Sequence, residues 1–114
     1  MKNRFEVEFL QEVIDFFEQV EEKARDKIIF NIHKARRVND EHLFKKISDE
    51  IWEFRTLYNR KQYRLFAFWY KTSNVKTLVV ATHGIIKKTQ KVPKKEIEKA
   101  IQLRKRYYEA IKNK

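Results

Sequence analysis

Ile51–Tyr70 reads IWEFRTLYNRKQYRLFAFWY, and the fold turns on it. Trp52, Phe54, Tyr58, Tyr63, Phe66, Phe68, Trp69 and Tyr70 suit a pleated, half-buried surface. Asn59-Arg60-Lys61-Gln62 forms a polar break, so the stretch predicts two antiparallel strands joined by a short connection. Residues of one parity share a face of a strand, which sets Arg55 with Ile51, Glu53 and Leu57, and Arg64 with Phe66 and Phe68. Two guanidiniums among aromatics near a hairpin turn are costly to bury without partners. They are expected to line a concave face that holds an anion; the competing reading pairs them with an acidic side chain such as Glu53.

Working outward, Phe5, Val7 and Phe9 alternate with Arg4, Glu6 and Glu8, a short strand over Asn3–Glu8. The period then changes: Leu10, Val13, Ile14, Phe17 and Val20 recur at three and four, predicting a helix that ends near Glu22. Ala24–Val38 predicts a second helix, with Ala24, Ile28, Ile32 and Ala35 on one side. Such an αα-hairpin covers one sheet face. Asn39–Glu50 reads as a polar connection pinned by Leu43, Phe44 and Ile47. After the hairpin, Lys76–Thr82 predicts a strand whose apolar run Leu78–Ala81 is covered on both faces, closing at His83-Gly84-Ile85-Ile86. Lys87–Lys95 is a basic loop, and Pro93 opens a last helix marked by Ile97, Ile101, Arg104, Tyr108 and Ile111. The expectation is an α+β fold of order β-α-α-β-β-β-α in one domain spanning 1–114.

Composition narrows the function. With one glycine and one proline in 114 residues, the chain has few hinges and no low-complexity linker. Cysteine is absent, which excludes disulfides, thiolate nucleophiles and cysteine metal sites. No apolar run approaches the roughly 20 residues of a membrane span. Acidic residues interrupt the N-terminal apolar region, so it does not read as a signal peptide, and a cytoplasmic location without membrane attachment is expected. The net charge of +11 is unevenly divided: residues 1–54 sum to −3, whereas residues 55–114 carry 17 Lys/Arg against Glu96, Glu98 and Glu109. One strongly basic side points first to a nucleic-acid backbone.

Three segments in order, Trp52-Glu53-Phe54-Arg55, Tyr63-Arg64-Leu65-Phe66 and His83-Gly84-Ile85-Ile86-Lys87-Lys88-Thr89-Gln90-Lys91, resemble the phage-derived Gp49-like, HigB-type branch of the RelE superfamily of bacterial toxins. The resemblance covers nearly the whole chain. It implies a twisted antiparallel sheet with helices packed on one face and a basic groove on the other. It further implies a toxin of a toxin-antitoxin pair that cuts mRNA on the ribosome, without metal or other cofactor, leaving a 2′,3′-cyclic phosphate. A helix-turn-helix antitoxin is the implied partner. By this resemblance Arg64 grips the scissile phosphate, Arg55 holds a neighbouring one, and Lys87 and Lys88 support the transition state or the leaving group. Arg60, Lys61, Lys91 and Tyr108 are the implied RNA contacts. The general base stays open among Glu53, His83 and a lysine. Val92 stands where relatives are expected to carry a threonine, so a helix-capping hydroxyl is missing.

Plainer readings accompany these. His33 and His42 read as ordinary surface or packing residues, and His83 as either structural or groove-lining. Trp52 and Trp69 read as core. Lys94, Lys95, Lys99, Lys105 and Lys112 read as a solvated helix face. The alternative functions are a non-enzymatic inhibitor of DNA gyrase like the ParE toxins, and a basic nucleic-acid-binding module without chemistry.

Overall fold

The computed structural model describes residues 3–72, 74, 77–88 and 91–113. Its elements are β1 (Glu6–Phe9), α1 (Gln11–Gln19), α2 (Glu22–Ala35), β2 (Phe44–Lys46), β3 (Trp52–Tyr58), β4 (Lys61–Tyr70), β5 (Leu78–Lys87) and α3 (Lys94–Lys112). The fold is α+β, with one five-stranded sheet ordered β1-β5-β4-β3-β2. Lys76, expected to begin the third core strand, and Thr89 and Gln90 of the basic loop lie outside the described residues.

The hairpin forms as its sequence dictates, with a tighter turn than the four-residue break suggests. Tyr58 pairs with Lys61, leaving Asn59 and Arg60 to turn the chain at φ 50° and 66°. Two left-handed residues make the turn whose twist suits paired strands, and asparagine tolerates that conformation well.

Three further details correct the expected architecture. The sheet is mixed rather than antiparallel: β1 runs parallel to β5, because the helix pair carries the chain away before it returns through β2. The connection over Asn39–Glu50 contains a short strand, Phe44–Lys46, pairing with Trp52–Phe54. Phe44 stacks on the Phe54 ring at a centroid distance of 4.3 Å, so the side chain that pins the connection also aligns it as a strand. The helices also divide between the faces. β4 is apolar in both parities: Tyr63, Leu65, Ala67 and Trp69 pack with α1 and α2, while Phe66, Phe68 and Tyr70 pack with Ala100, Ile97 and Tyr107 of α3. A strand apolar on both sides needs cover on both. Ile101, expected on the inner side of α3, is 43 % exposed; Ala100 and Leu103 are buried instead. Pro93 caps this helix rather than opening it.

β5 departs most from expectation. It does not close at His83-Gly84 but runs on to Lys87 opposite β4. Ala81 pairs with Ala67 and His83 with Phe66, so Thr82 is an extra residue, a β-bulge. The fully buried Thr82 hydroxyl donates to the Phe66 carbonyl at 3.2 Å. Gly84 lies where α1 presses closest: a Cβ there would fall 2.4 Å from Phe16 Cδ2 and 2.6 Å from Leu65 Cδ2. Only glycine fits that approach without moving the helix.

Candidate functional site

The bulge decides which side chains meet. Before it, Val80 faces α3 while Val79 and Ala81 face the other helices. One extra residue reverses the alternation, so His83, Ile85 and Lys87 join the α3 side. There Phe66 pairs with both Glu53 and His83, Arg64 with both Arg55 and Ile85, and Gln62 with both Leu57 and Lys87. Arg55, Arg64, Glu53 and Lys87 thus share one sheet face.

Glu53 is the centre of this group. Its carboxylate lies 3.4 Å from Arg64 Nε through Oε1 and 3.5 Å from Arg55 Nε through Oε2. The Arg64 and Glu53 side chains are only 3 % and 4 % exposed, whereas Arg55 is 30 % exposed. Two Arg64 donors are used internally: Nη1 donates to the Tyr63 carbonyl at 3.2 Å and Nη2 to the side-chain oxygen of Gln62. Arg64, expected to hold the scissile phosphate, is here a buried member of an ion pair with Glu53. Burial pushes its guanidinium below the usual range, Glu53 opposes that shift, and Arg55 adds to it. A buried charge survives only with partners, and Arg64 has them.

Lys87 borders the same charges but keeps access to solvent. Burial lowers its pKa from the ordinary 10.5, the guanidiniums of Arg64 and Arg55 lower it further, and Glu53 pulls it back up. Its ammonium gives up a proton more readily than a solvated lysine. Arg55 and Lys87 are the more exposed members of the group.

His83 is buried and fully occupied. Nδ1 lies 3.0 Å from Thr82 Oγ1, and Nε2 lies 3.1 Å from Glu96 Oε1 at the start of α3. Its ring packs on Phe66 at 4.9 Å between centroids. Burial lowers its pKa most, Lys99 adds to this, and Glu96 and Glu12 oppose it. With both ring nitrogens engaged, His83 ties α3 to the bulge; the structural reading is the one its surroundings favour.

The remaining sequence candidates are scattered. Arg60 and Lys61 are exposed at the hairpin turn, Lys88 is exposed one residue beyond β5, and Lys91 is exposed in the connection to α3. Tyr108 is elsewhere: its hydroxyl accepts from the Lys71 backbone N–H at 3.2 Å, and its ring lies 5.1 Å from that of Tyr70. Six residues of strand separate Tyr70 from Arg64, about 20 Å. Tyr108 therefore packs at the far end of the sheet rather than lining the charged group. Gln62, Thr82 and Glu96 were missed as contributors; a polar residue beside an arginine and a threonine in an apolar strand carry no distinctive signal alone. Among the described residues, no group of three or more His, Cys, Asp or Glu is placed to hold a metal ion, and no helix is long and apolar enough to cross a membrane.

No curated protein matches the chain significantly. The family model described as Phage derived protein Gp49-like matches residues 15–105, a span that includes the hairpin, the bulge and most of α3. The chain belongs to this Gp49-like family of RelE/HigB-type toxins, the toxin partners of toxin-antitoxin pairs.

Proposed function

We propose that the chain is a metal-independent endoribonuclease that cleaves mRNA held on the ribosome and is silenced by a helix-turn-helix antitoxin in the cytoplasm. The observation that carries this reading is the placement of Arg55 and Lys87, both partly exposed, beside the buried Glu53–Arg64 pair on one sheet face. The chemistry is transfer of phosphorus from the 5′-oxygen of one nucleotide to the 2′-oxygen of the one before it. The 2′-hydroxyl loses its proton and attacks phosphorus, the P–O5′ bond breaks, and the departing 5′-oxygen takes up a proton. The products are a 2′,3′-cyclic phosphate and a 5′-hydroxyl end.

Arg55 supplies paired donors to the non-bridging oxygens as negative charge builds on them. Lys87, whose pKa is lowered first by burial and then by the Arg64 guanidinium, accepts the 2′-hydroxyl proton when it is deprotonated. Arg64 is a positioning residue: it holds Glu53, and Glu53 aims Arg55. Lys88, Lys91, Arg60 and Lys61 add attraction for the RNA backbone from the rim.

The test maps transcript ends after brief induction of the wild-type chain and of Arg55→Ala. Cuts within translated codons, lost in the variant and lost when translation initiation is blocked, support the reading. Growth arrest with intact transcripts overturns it in favour of a gyrase-type inhibitor.

A further inference from the structure

β2 pairs with β3 only as far as Phe54, and the Leu43 carbonyl then accepts the Arg55 backbone N–H at 2.8 Å. Past that point the edge of β3 is unpaired by any strand among the described residues. A cavity of about 410 Å³ opens there, running from Arg55, Arg64 and Gln62 round the edge to Lys27 and His42. Its wall is built rather than incidental. Asn31 Nδ2 donates to Thr56 Oγ1 at 3.1 Å in a buried side-chain pair, fixing α2 against the strand edge. Lys27 lies one helical turn before Asn31 and so projects on the same side. None of the described lining residues is a carboxylate. Leu57, on the face of Arg55, is 64 % exposed at the mouth.

We propose that this cavity is a subsite for a nucleotide flanking the cleaved bond of single-stranded RNA, with its phosphate on Lys27 and its base against Leu57 and the His42 ring, while Arg55 at its inner end stays on the scissile phosphate. The inference rests on the ribonuclease reading and adds to it His42, which the sequence placed among ordinary surface or packing residues, and Lys27. The volume lies within the roughly 300–1,000 Å³ usual for ligand sites. Cations for the backbone, with an apolar and a ring surface for an unstacked base, are what single-stranded RNA requires. An acidic peptide added as a strand is the rival occupant. Only residues 56–58 of the edge remain beyond Leu43, too few for a normal strand of about 5–6 residues.

The experiment measures binding of a fluorescent single-stranded 2′-O-methyl oligonucleotide of about ten residues, which resists cleavage, to the full chain across a salt series. Variants are Lys27→Gln with His42→Ala, and Lys34→Gln as a control on an exposed position of α2 outside the cavity. The double variant is expected to bind roughly fivefold more weakly, with a salt slope shallower by about 0.7, while the control matches wild type. Equal binding by the double variant and the control overturns the subsite, and if the double variant still cleaves RNA as wild type does, the ribonuclease reading stands. Absence of both binding and cleavage in the wild-type chain overturns both. A glutamate-rich peptide that protects the Leu57 amide from exchange, where the oligonucleotide does not, reassigns the edge to a protein strand and overturns the subsite.

Discussion

Along β4, Phe68 and Tyr70 lie beneath α3, whereas Arg64, on the same face and about 13 Å from Phe68, lies in the charged group beyond it. The covered end is held by aromatic contacts: Phe68 meets Tyr107 edge-on at 5.6 Å, and Tyr70 meets it at 5.2 Å. The charged end is held by one carboxylate shared between two guanidiniums. Apolar burial is non-directional, so the first end specifies packing. The second end instead gathers like charges around one buried carboxylate, which keeps Arg55 beside Glu53. One strand face thus combines an aromatic half packed under α3 with a half built on buried charges.

That division can be broken from either side. Phe68→Ala leaves a hole under α3 and is expected to cost about 3–5 kcal/mol in urea unfolding, with no selective loss of RNA cleavage by the folded fraction. A selective loss would show that the two halves are not separable. Glu53→Ala strands a buried guanidinium and is expected to cost a similar amount, about 3–5 kcal/mol. Replacing Glu53 and Arg64 together by methionine should recover most of that stability but not cleavage, since Arg55 would lose its anchor. Arg55→Ala, at a partly exposed position, should change stability by less than about 1 kcal/mol while lowering cleavage by about a hundredfold or more. Comparable losses of both would return Arg55 to a structural role.

Smaller effects sharpen the picture. Gly84→Ala drives a methyl group into the Phe16 ring and is expected to cost about 1–3 kcal/mol by calorimetry. The slightest effect is one of pH. Lys87 titrates below 10.5 when folded and at its ordinary value when unfolded, so between the two the unfolded chain binds more protons. Stability therefore rises with pH across that window, and Lys87→Gln should flatten the rise in unfolding measured at increasing alkalinity.

Much of the architecture is legible in the chain. The aromatic-rich strand types in Trp52–Tyr58 and the three-and-four spacing in α1 and α2 are local signals, and local signals need no partner to be read. The charge division between residues 1–54 and 55–114 is likewise plain. The site is less so. Arg55 and Lys87 stand out by type, but their meeting depends on Thr82, which looks like any strand threonine. Arg64 looks as available as Arg55, and only the depth of the Glu53 carboxylate separates them. That Tyr108 packs beside Tyr70, away from the charged group, has no local sign in the chain.

The sequence by itself determined the hairpin, the paired helices, the basic second half and the family, because side-chain pattern and composition act over a few residues at a time. Only the tertiary structure decided that α3 covers the opposite face, that a single bulged residue turns Lys87 toward Arg64, and that Arg64 is interior while Arg55 is open. Those outcomes depend on register between strands distant in sequence and on which charges burial forces together, and neither is encoded in any one segment.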